Sequence, residues 1–136
     1  MSEYYYLLSK DIGDGPHLIG QLTRSGKGQY QFRYMFRDPG FPHWFMRIPR
    51  MADSQKLYTN QEVLNGILLR AVPEQGEWAA SLLMKQNGIA EYDEWALLES
   101  MIELHRRLGF DRQPFCDSHQ QFYFYSEIPD NARRYD

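Results

Sequence analysis

The sequence predicts an α+β domain, in which an antiparallel sheet of about four to five strands carries three helices on one face. Aromatic residues alternate with mostly polar ones from Tyr30 to Phe36, which is the two-residue period of a half-buried strand. Apolar residues recur instead at helical spacing between Val63 and Val72. Strand-like segments come first, three helical segments follow and one strand-like segment returns, so strands and helices are segregated along the chain.

The predicted strands begin at Tyr4 to Ser9, a segment of high strand propensity that ends in a turn rich in glycine and aspartate. His17 to Arg24 is the second strand, and a short glycine-bearing loop leads to the third, Tyr30 to Phe36. Short connections make these three an antiparallel meander. His43 to Ile48 fits a fourth, short strand closed by a proline, and Gln121 to Tyr125 predicts the returning strand.

The first predicted helix is the centre of the fold. Thr59 and Glu62 form a capping-box signature at its start, and Pro73 ends it because proline lacks the N–H and disfavours helical geometry at Val72. Apolar residues cover most of its circumference: Val63, Leu64, Ile67, Leu68, Leu69, Ala71 and Val72. A helix that is apolar on most sides is expected to be buried.

Two further helices follow. Glu77 to Asn87 predicts the second, with Gly88 at the left-handed position after its end. Three of its residues are expected to face inward: Trp78, Leu82 and Leu83. Asp93 is the expected N-cap of the third helix. Its expected core residues are Trp95, Leu98, Met101, Ile102 and Leu108.

Length and composition predict one domain over residues 1–136, with a polar tail from about 126 to 136. The one cysteine, Cys116, cannot form an intramolecular disulfide, which favours a reducing compartment. The sequence shows no signal-peptide pattern and no apolar run of the roughly 20 residues that a membrane helix needs. We therefore expect a cytoplasmic protein without membrane association.

Charge and aromatic content limit the classes of partner that the sequence favours. The net charge is −3; residues 1–50 hold seven basic and four acidic residues, whereas residues 51–136 hold eight and fourteen. This balance argues against direct nucleic-acid binding, and the basic residues of the first third are more simply a solvated sheet face. Aromatic residues make up 15% of the chain, a content that suits both strands and protein interfaces.

Catalytic patterns are not visible in the sequence. The glycine pairs near Gly13 and Gly26 lack the helix that a phosphate loop requires. Cys116 and His119 have a C-x-x-H spacing, but a zinc site would need two further ligands, and Cys116 is more simply a small buried hydrophobe. We predict no catalytic residue, no metal site and no cofactor.

Several stretches in order resemble the N-terminal module of HipA-family Ser/Thr kinases. Ile19 to Thr23 is similar to that module's second strand, with a hydrophobic-Gly-x-Leu pattern, and Tyr30 to Tyr34 to its aromatic strand. The run Ala71 to Glu74 resembles the Leu-Leu-Pro-Glu/Asp end of its first helix, and Gly88 to Leu98 resembles the entry of its third. Gln75 and Glu77 depart from the family's compact Pro-Glu-Gly-Trp run.

The resemblance implies a non-catalytic module that binds a separately encoded HipA-type kinase, as the antitoxin component of a toxin–antitoxin system. It also implies a helix-turn-helix repressor as a further partner, and it leaves a homodimer open. Trp78, Glu74 and Trp44 are the candidate partner-binding residues, although either tryptophan fits the core equally well. The alternative is a small-molecule-binding protein or small enzyme with an aromatic-lined pocket.

Overall fold

The structure, a computed structural model, describes residues 3–9, 16–108, 114–117 and 120–136, with the backbone alone for 114–117, 120 and 121. Within these residues six strands form one antiparallel sheet in the order β4-β3-β2-β1-β6-β5. The strands are β1 Tyr4–Ser9, β2 His17–Gly26, β3 Gln29–Tyr34, β4 Leu57–Thr59, β5 Pro114–Asp117 and β6 Gln120–Tyr125. The predicted α+β class is confirmed, and the short edge strands β4 and β5 bring the sheet to six strands.

Three helices accompany the sheet: α1 (61–71), α2 (Trp78–Asn87) and α3 (Glu94–Arg107). The middle of α1, Leu64–Leu68, is π-helical between two short α-helical turns. Five of the seven apolar residues predicted to be buried are so: Val63, Ile67, Leu68, Ala71 and Val72. Leu64 and Leu69 are half-buried. Gly66 lets this helix approach the Met51 side chain, because a Cβ there would lie 2.8 Å from Met51 Cε.

Half of the predicted capping box is present at the start of α1. Glu62 Oε1 accepts a hydrogen bond from the Thr59 N–H at 3.3 Å, as expected. Thr59 itself belongs to β4, however, and Asn60 is the N-cap residue. Asn60 binds the neighbouring strand on both sides of Tyr30: its N–H donates to Tyr30 O at 2.8 Å, and its Oδ1 accepts from Tyr30 N–H at 3.1 Å. The sheet edge therefore fixes the point at which the helix begins.

Helix α3 lies over the sheet through Trp95, which is buried and has its ring 5.4 Å from that of Tyr5 and 6.1 Å from that of Tyr30. Asp93 is the N-cap, as predicted: its side chain accepts from the Trp95 N–H and pairs with Arg24 at 3.0 Å. Leu108 was a wrong core prediction, since it lies beyond the end of α3 and is 66% exposed.

The predicted strand from His43 to Ile48 is wrong, because this segment is an irregular loop. A turn brings Phe45 N–H to Pro42 O at 2.9 Å, and the Ile48 N–H donates to the Tyr34 hydroxyl. Phe45 and Ile48 are buried nonetheless. Aromatic and aliphatic side chains are therefore buried here although the backbone forms no strand hydrogen bonds. Residue propensity alone does not distinguish such a buried loop from a strand.

The segment 126–136, predicted as a polar tail, packs back onto the sheet. Arg133 forms a parallel bridge with His17, and Tyr135 forms another with Phe36. Backbone hydrogen bonds accompany them: Leu18 N–H donates to Arg133 O at 2.9 Å. The last residues of the chain thus lie between the start of β2 and the segment after β3, where they are part of the fold.

Candidate protein-binding site

The turn between α1 and α2 is held by hydrogen bonds at both ends. Val72 is extended, so the helix stops before Pro73 as predicted, and the Tyr92 hydroxyl donates to Pro73 O at 2.7 Å. Glu74 N–H donates to Glu77 Oε1 at 3.0 Å, and Glu77 N–H donates to Glu74 O at 3.1 Å. Gly76 has φ 92°, a conformation that favours glycine. These bonds fix the direction in which α2 leaves the turn.

Trp78 is the first residue of α2, and its side chain is 77% exposed. Leu82, one turn further along, is 37% exposed. The prediction that these two residues face inward is wrong; the residue of α2 that is fully buried is Ala80. At 100° per residue, Trp78 and Leu82 share the face of α2 that also carries Lys85, opposite Ala80. We call Trp78 and Leu82, with the adjoining carboxylates Glu74 and Glu77, the Trp78 surface.

An open cleft of about 830 Å³ lies along another side of α2, where Ala80, Ser81 and Met84 line it. The tip of the β2–β3 hairpin, at Lys27 and Gly28, forms one wall, and Gly76 and Ser81 contribute to the other. Lys27 and Glu91 pair across 3.3 Å at the cleft, with both side chains largely exposed. The cleft therefore lies on a different face of α2 from Trp78 and Leu82, and its lining is of mixed polarity.

Acidic groups dominate the electrostatics of the turn. Burial, followed by the carboxylates of Glu94, Glu74 and Glu77, raises the pKa of the Tyr92 hydroxyl to about 12. The same two causes, burial first and then Glu94, raise the pKa of Tyr30, whose hydroxyl donates to Glu94 at 3.0 Å. The Tyr92 hydroxyl therefore stays protonated at neutral pH and keeps its bond to the turn.

The structure places Trp44 in a different cluster. Its ring centroid lies 4.4 Å from that of His17, 5.5 Å from that of Tyr135 and 5.8 Å from that of Phe45. A hydrogen bond of 2.8 Å joins His17 Nδ1 to the Tyr135 hydroxyl within the same cluster. Trp44 is half-buried and fastens the C-terminal segment, so of the three predicted partner-binding residues only Trp78 and Glu74 lie on one surface.

The buried tyrosine hydroxyls of the described core form hydrogen bonds with backbone groups. Tyr34 donates to Met51 O at 2.7 Å, and Tyr58 both donates to Asp53 O and accepts from Asp53 N–H. The aromatic rings around Tyr34 pack at centroid distances of 5.1 to 6.2 Å. This close packing supports a filled core more than the alternative of an aromatic-lined ligand pocket.

The side chains of Cys116 and His119 lie outside the described residues. Among the residues that are described, no group of three His, Cys, Asp or Glu side chains is arranged to hold a metal ion. In the same part of the chain, none of the helices has the length and apolar content needed to cross a membrane.

Comparison of the chain with protein-family models gave no match, and neither curated proteins nor solved structures gave a similar protein.

The sequence contains an indication that Leu82 faces outward, namely a charged residue on the same face of the helix. Lys85 lies seven residues after Trp78 and three after Leu82, so all three fall on one helical face. A lysine on the same face as Trp78 and Leu82 favours solvent over core. The cleft, by contrast, depends on where the β2–β3 hairpin lies against α2, and no local pattern encodes that contact.

Proposed function

We propose that this chain is a non-catalytic binding module that docks on a partner protein through the Trp78 surface. The exposure of Trp78 is the observation that carries the proposal. A tryptophan buries about 150–250 Å² when it is covered, so leaving most of it in water forgoes several kcal/mol of burial. Tryptophan is also among the residues most enriched at the energetic centres of interfaces.

The support beneath Trp78 suits such a role. The bonds from Tyr92 to Pro73 and between Glu74 and Glu77 hold the turn before any partner arrives. Binding then costs little further loss of backbone freedom, which is the general advantage of a preorganised surface. Glu74 and Glu77 at the rim favour a partner with basic residues around an apolar pocket.

The partner we propose is a HipA-type Ser/Thr kinase encoded as a separate chain, with this module as its antitoxin. The ordered resemblance from Ile19 to Leu98 supports this choice, as does the α+β arrangement of strands before helices. The run Ala71 to Glu74 leads directly into the Trp78 surface, so the run that is most recognisable in the family, altered here at Gln75 and Glu77, adjoins the surface proposed to bind. A helix-turn-helix repressor is the further component expected in such a system.

Co-expression with a HipA-type kinase, sought first among the genes adjacent to this one, followed by affinity purification and calorimetry, tests the proposal. We expect Trp78→Ala to weaken binding by at least about thirtyfold, the loss of a typical hot spot of 2 kcal/mol or more. Leu108→Ala is the matched control, because Leu108 is also strongly exposed but lies at the end of α3. We expect Glu74→Lys to slow association and to reduce its dependence on salt.

Two results would contradict the proposal. One is a kinase that fails to co-purify with the wild-type chain. The other is a complex in which Trp78→Ala and Leu108→Ala bind alike, since Trp78 would then lie outside the interface. Thermal unfolding of both variants serves as the folding control, and an exposed side chain such as Trp78 should change stability by less than about 0.5 kcal/mol.

A further inference from the structure

The sheet face opposite α1 and α3 carries its own pattern of side chains. The strand register aligns two rows of residues on this face, which we call the open face: Tyr125, Tyr6, Gln21, Arg33 and Leu57 in one row, and Tyr4, Thr23, Gln31 and Thr59 in the next. Their neighbours along the strands, such as Tyr5, Leu22 and Phe32, point into the core beneath the helices. None of the nine positions is acidic.

Three tyrosines lie together at one end of the open face. Tyr4 and Tyr6 are two residues apart on β1 with ring centroids 5.6 Å apart, and Tyr125 on β6 is the cross-strand neighbour of Tyr6. Tyr4 is 42% exposed, and Tyr6 and Tyr125 are half-buried. The next row on the same face, Tyr123, Leu8 and Leu18, is buried, so the three tyrosines border a covered part of the sheet and remain partly exposed. A cluster of partly exposed aromatic rings favours a further binding contact.

Arginines flank the tyrosines. Arg33 is exposed and lies in the same row as Tyr6, two strands away, with Gln21 between them. Arg134 borders Tyr6 from the C-terminal segment: the Asp136 carboxylate raises the pKa of its guanidinium, and Tyr6 adds to this in the same direction. Stacking rings, amide side chains that can bond base edges and the exposed Arg33 guanidinium, which can bond a phosphate, therefore share one face, whereas Arg134 at its border is paired with Asp136 at 2.8 Å.

We propose that the open face binds single-stranded nucleic acid, with bases stacked on Tyr4, Tyr6 and Tyr125 and the phosphate backbone held by Arg33. Stacking on aromatic rings combined with cationic contacts to the backbone is the general chemistry of single-strand recognition. The net charge of −3 speaks against this function only if charge is spread evenly, and it is not. Acidic residues such as Glu74, Glu77 and Glu94 belong to the helical layer, whereas the nine positions of the open face carry none, and Asp136 at its border is paired with Arg134 at 2.8 Å.

Fluorescence anisotropy with labelled oligonucleotides of about ten nucleotides tests this proposal on the full chain. The probes are oligo-U RNA, oligo-dT DNA, a duplex of the same length and heparin, which has the charge without bases. We expect both single strands, or RNA alone, to bind more tightly than the duplex and heparin. A preference for RNA over DNA would assign contacts to the 2′-hydroxyl, and equal affinity would assign recognition to bases and phosphates.

Variants separate stacking from charge. Tyr6→Ala should weaken binding about tenfold, whereas Tyr6→Phe should retain it because the ring is kept. Tyr4→Ala, at a more exposed position, should weaken binding similarly and provides the test if Tyr6→Ala unfolds the sheet. Arg33→Gln should flatten the dependence of affinity on salt, removing about 0.7 from the slope of log K against log salt. Trp78→Ala should bind nucleic acid normally, so this test is independent of the partner surface.

The proposal is overturned if neither single strand binds at about 50 mM salt, or if heparin and oligo-U bind equally well and Tyr4→Ala changes neither. It is likewise overturned if Tyr4→Ala and Tyr6→Ala weaken the complex with a partner protein while nucleic acid fails to bind. The open face would then be a protein interface.

Discussion

Gly20 offers a sharp test of how the two layers of this fold meet. It lies in β2 opposite Leu7 on one side and Tyr34 on the other. A Cβ at this position would lie 2.5 Å from Arg33 O, 2.6 Å from Phe32 Cζ and 2.7 Å from Phe32 Cε1. The glycine therefore leaves the space that the Phe32 ring fills in the core.

The cost of Gly20→Ala follows from which atoms must move. Phe32 is fully buried and contacts the Tyr34 ring at 5.1 Å, so its ring has little room to retreat. Arg33 O belongs to the backbone of β3, which is paired with β2 across this site. Overpacking of a core costs about 1–3 kcal/mol, and a backbone obstacle puts this variant at the upper end, near 3 kcal/mol. At roughly 4 °C per kcal/mol, the melting temperature should fall by about 12 °C.

Urea denaturation followed by tryptophan fluorescence measures the loss, and Gly40→Ala is the matched control. Gly40 is exposed, and a Cβ there would meet nothing within 4 Å, so its free energy of unfolding should change by no more than about 0.5 kcal/mol. A loss of less than about 1 kcal/mol in the free energy of unfolding for Gly20→Ala would show that β2 and β3 can move apart at little energetic cost. The close contact between Gly20 and Phe32 would then not explain the glycine.

Two further predictions concern tyrosine hydroxyls. Tyr135→Phe removes the 2.8 Å bond to His17 and should cost about 1 kcal/mol in the free energy of unfolding; unchanged stability would mean that ring packing alone fastens the C-terminal segment. Tyr92→Phe should loosen the turn before Trp78 and weaken partner binding more than it lowers stability, as calorimetry and denaturation together would show. Because burial raises the pKa of Tyr92 from 10.0 to about 12, its contribution to stability is complete below pH 10 and is lost as the pH rises through 12. Urea denaturation across this range should therefore show a steeper loss for the wild type than for Tyr92→Phe.

The elements that sequence predicted well are those whose pattern is local. The alternation from Tyr30 through Phe36 depends on one strand with one buried face, and the end of α1 depends on Pro73 alone. The prediction of a fourth strand is wrong because Phe45 and Ile48 are buried within an irregular loop. The Ile48 N–H donates to the Tyr34 hydroxyl there and not to a neighbouring strand. Burial without a periodic backbone is not visible in a residue pattern.

The candidate site was predictable in part for the same reason. The sequence places Glu74 and Trp78 next to each other, so their common surface needs no tertiary information. Trp44 could not be assigned in this way, because its environment comes from His17 and Tyr135, which lie at opposite ends of the chain. Long-range contacts of this kind decide whether an aromatic residue packs within the fold or is exposed on a binding surface.

Folding stability alone does not account for the exposed aromatic residues of the Trp78 surface and the open face. Trp95 shows what this fold does with a tryptophan that serves stability: it is buried between α3 and the sheet against Tyr5. Trp78 occupies the start of a helix of the same layer and yet faces water, on a turn that three hydrogen bonds hold in place. Stability would be served as well by a polar residue there, so the rigid turn and the exposed ring together support the proposed docking role of Trp78. Tyr4 is likewise 42% exposed, with its ring centroid 5.6 Å from that of Tyr6.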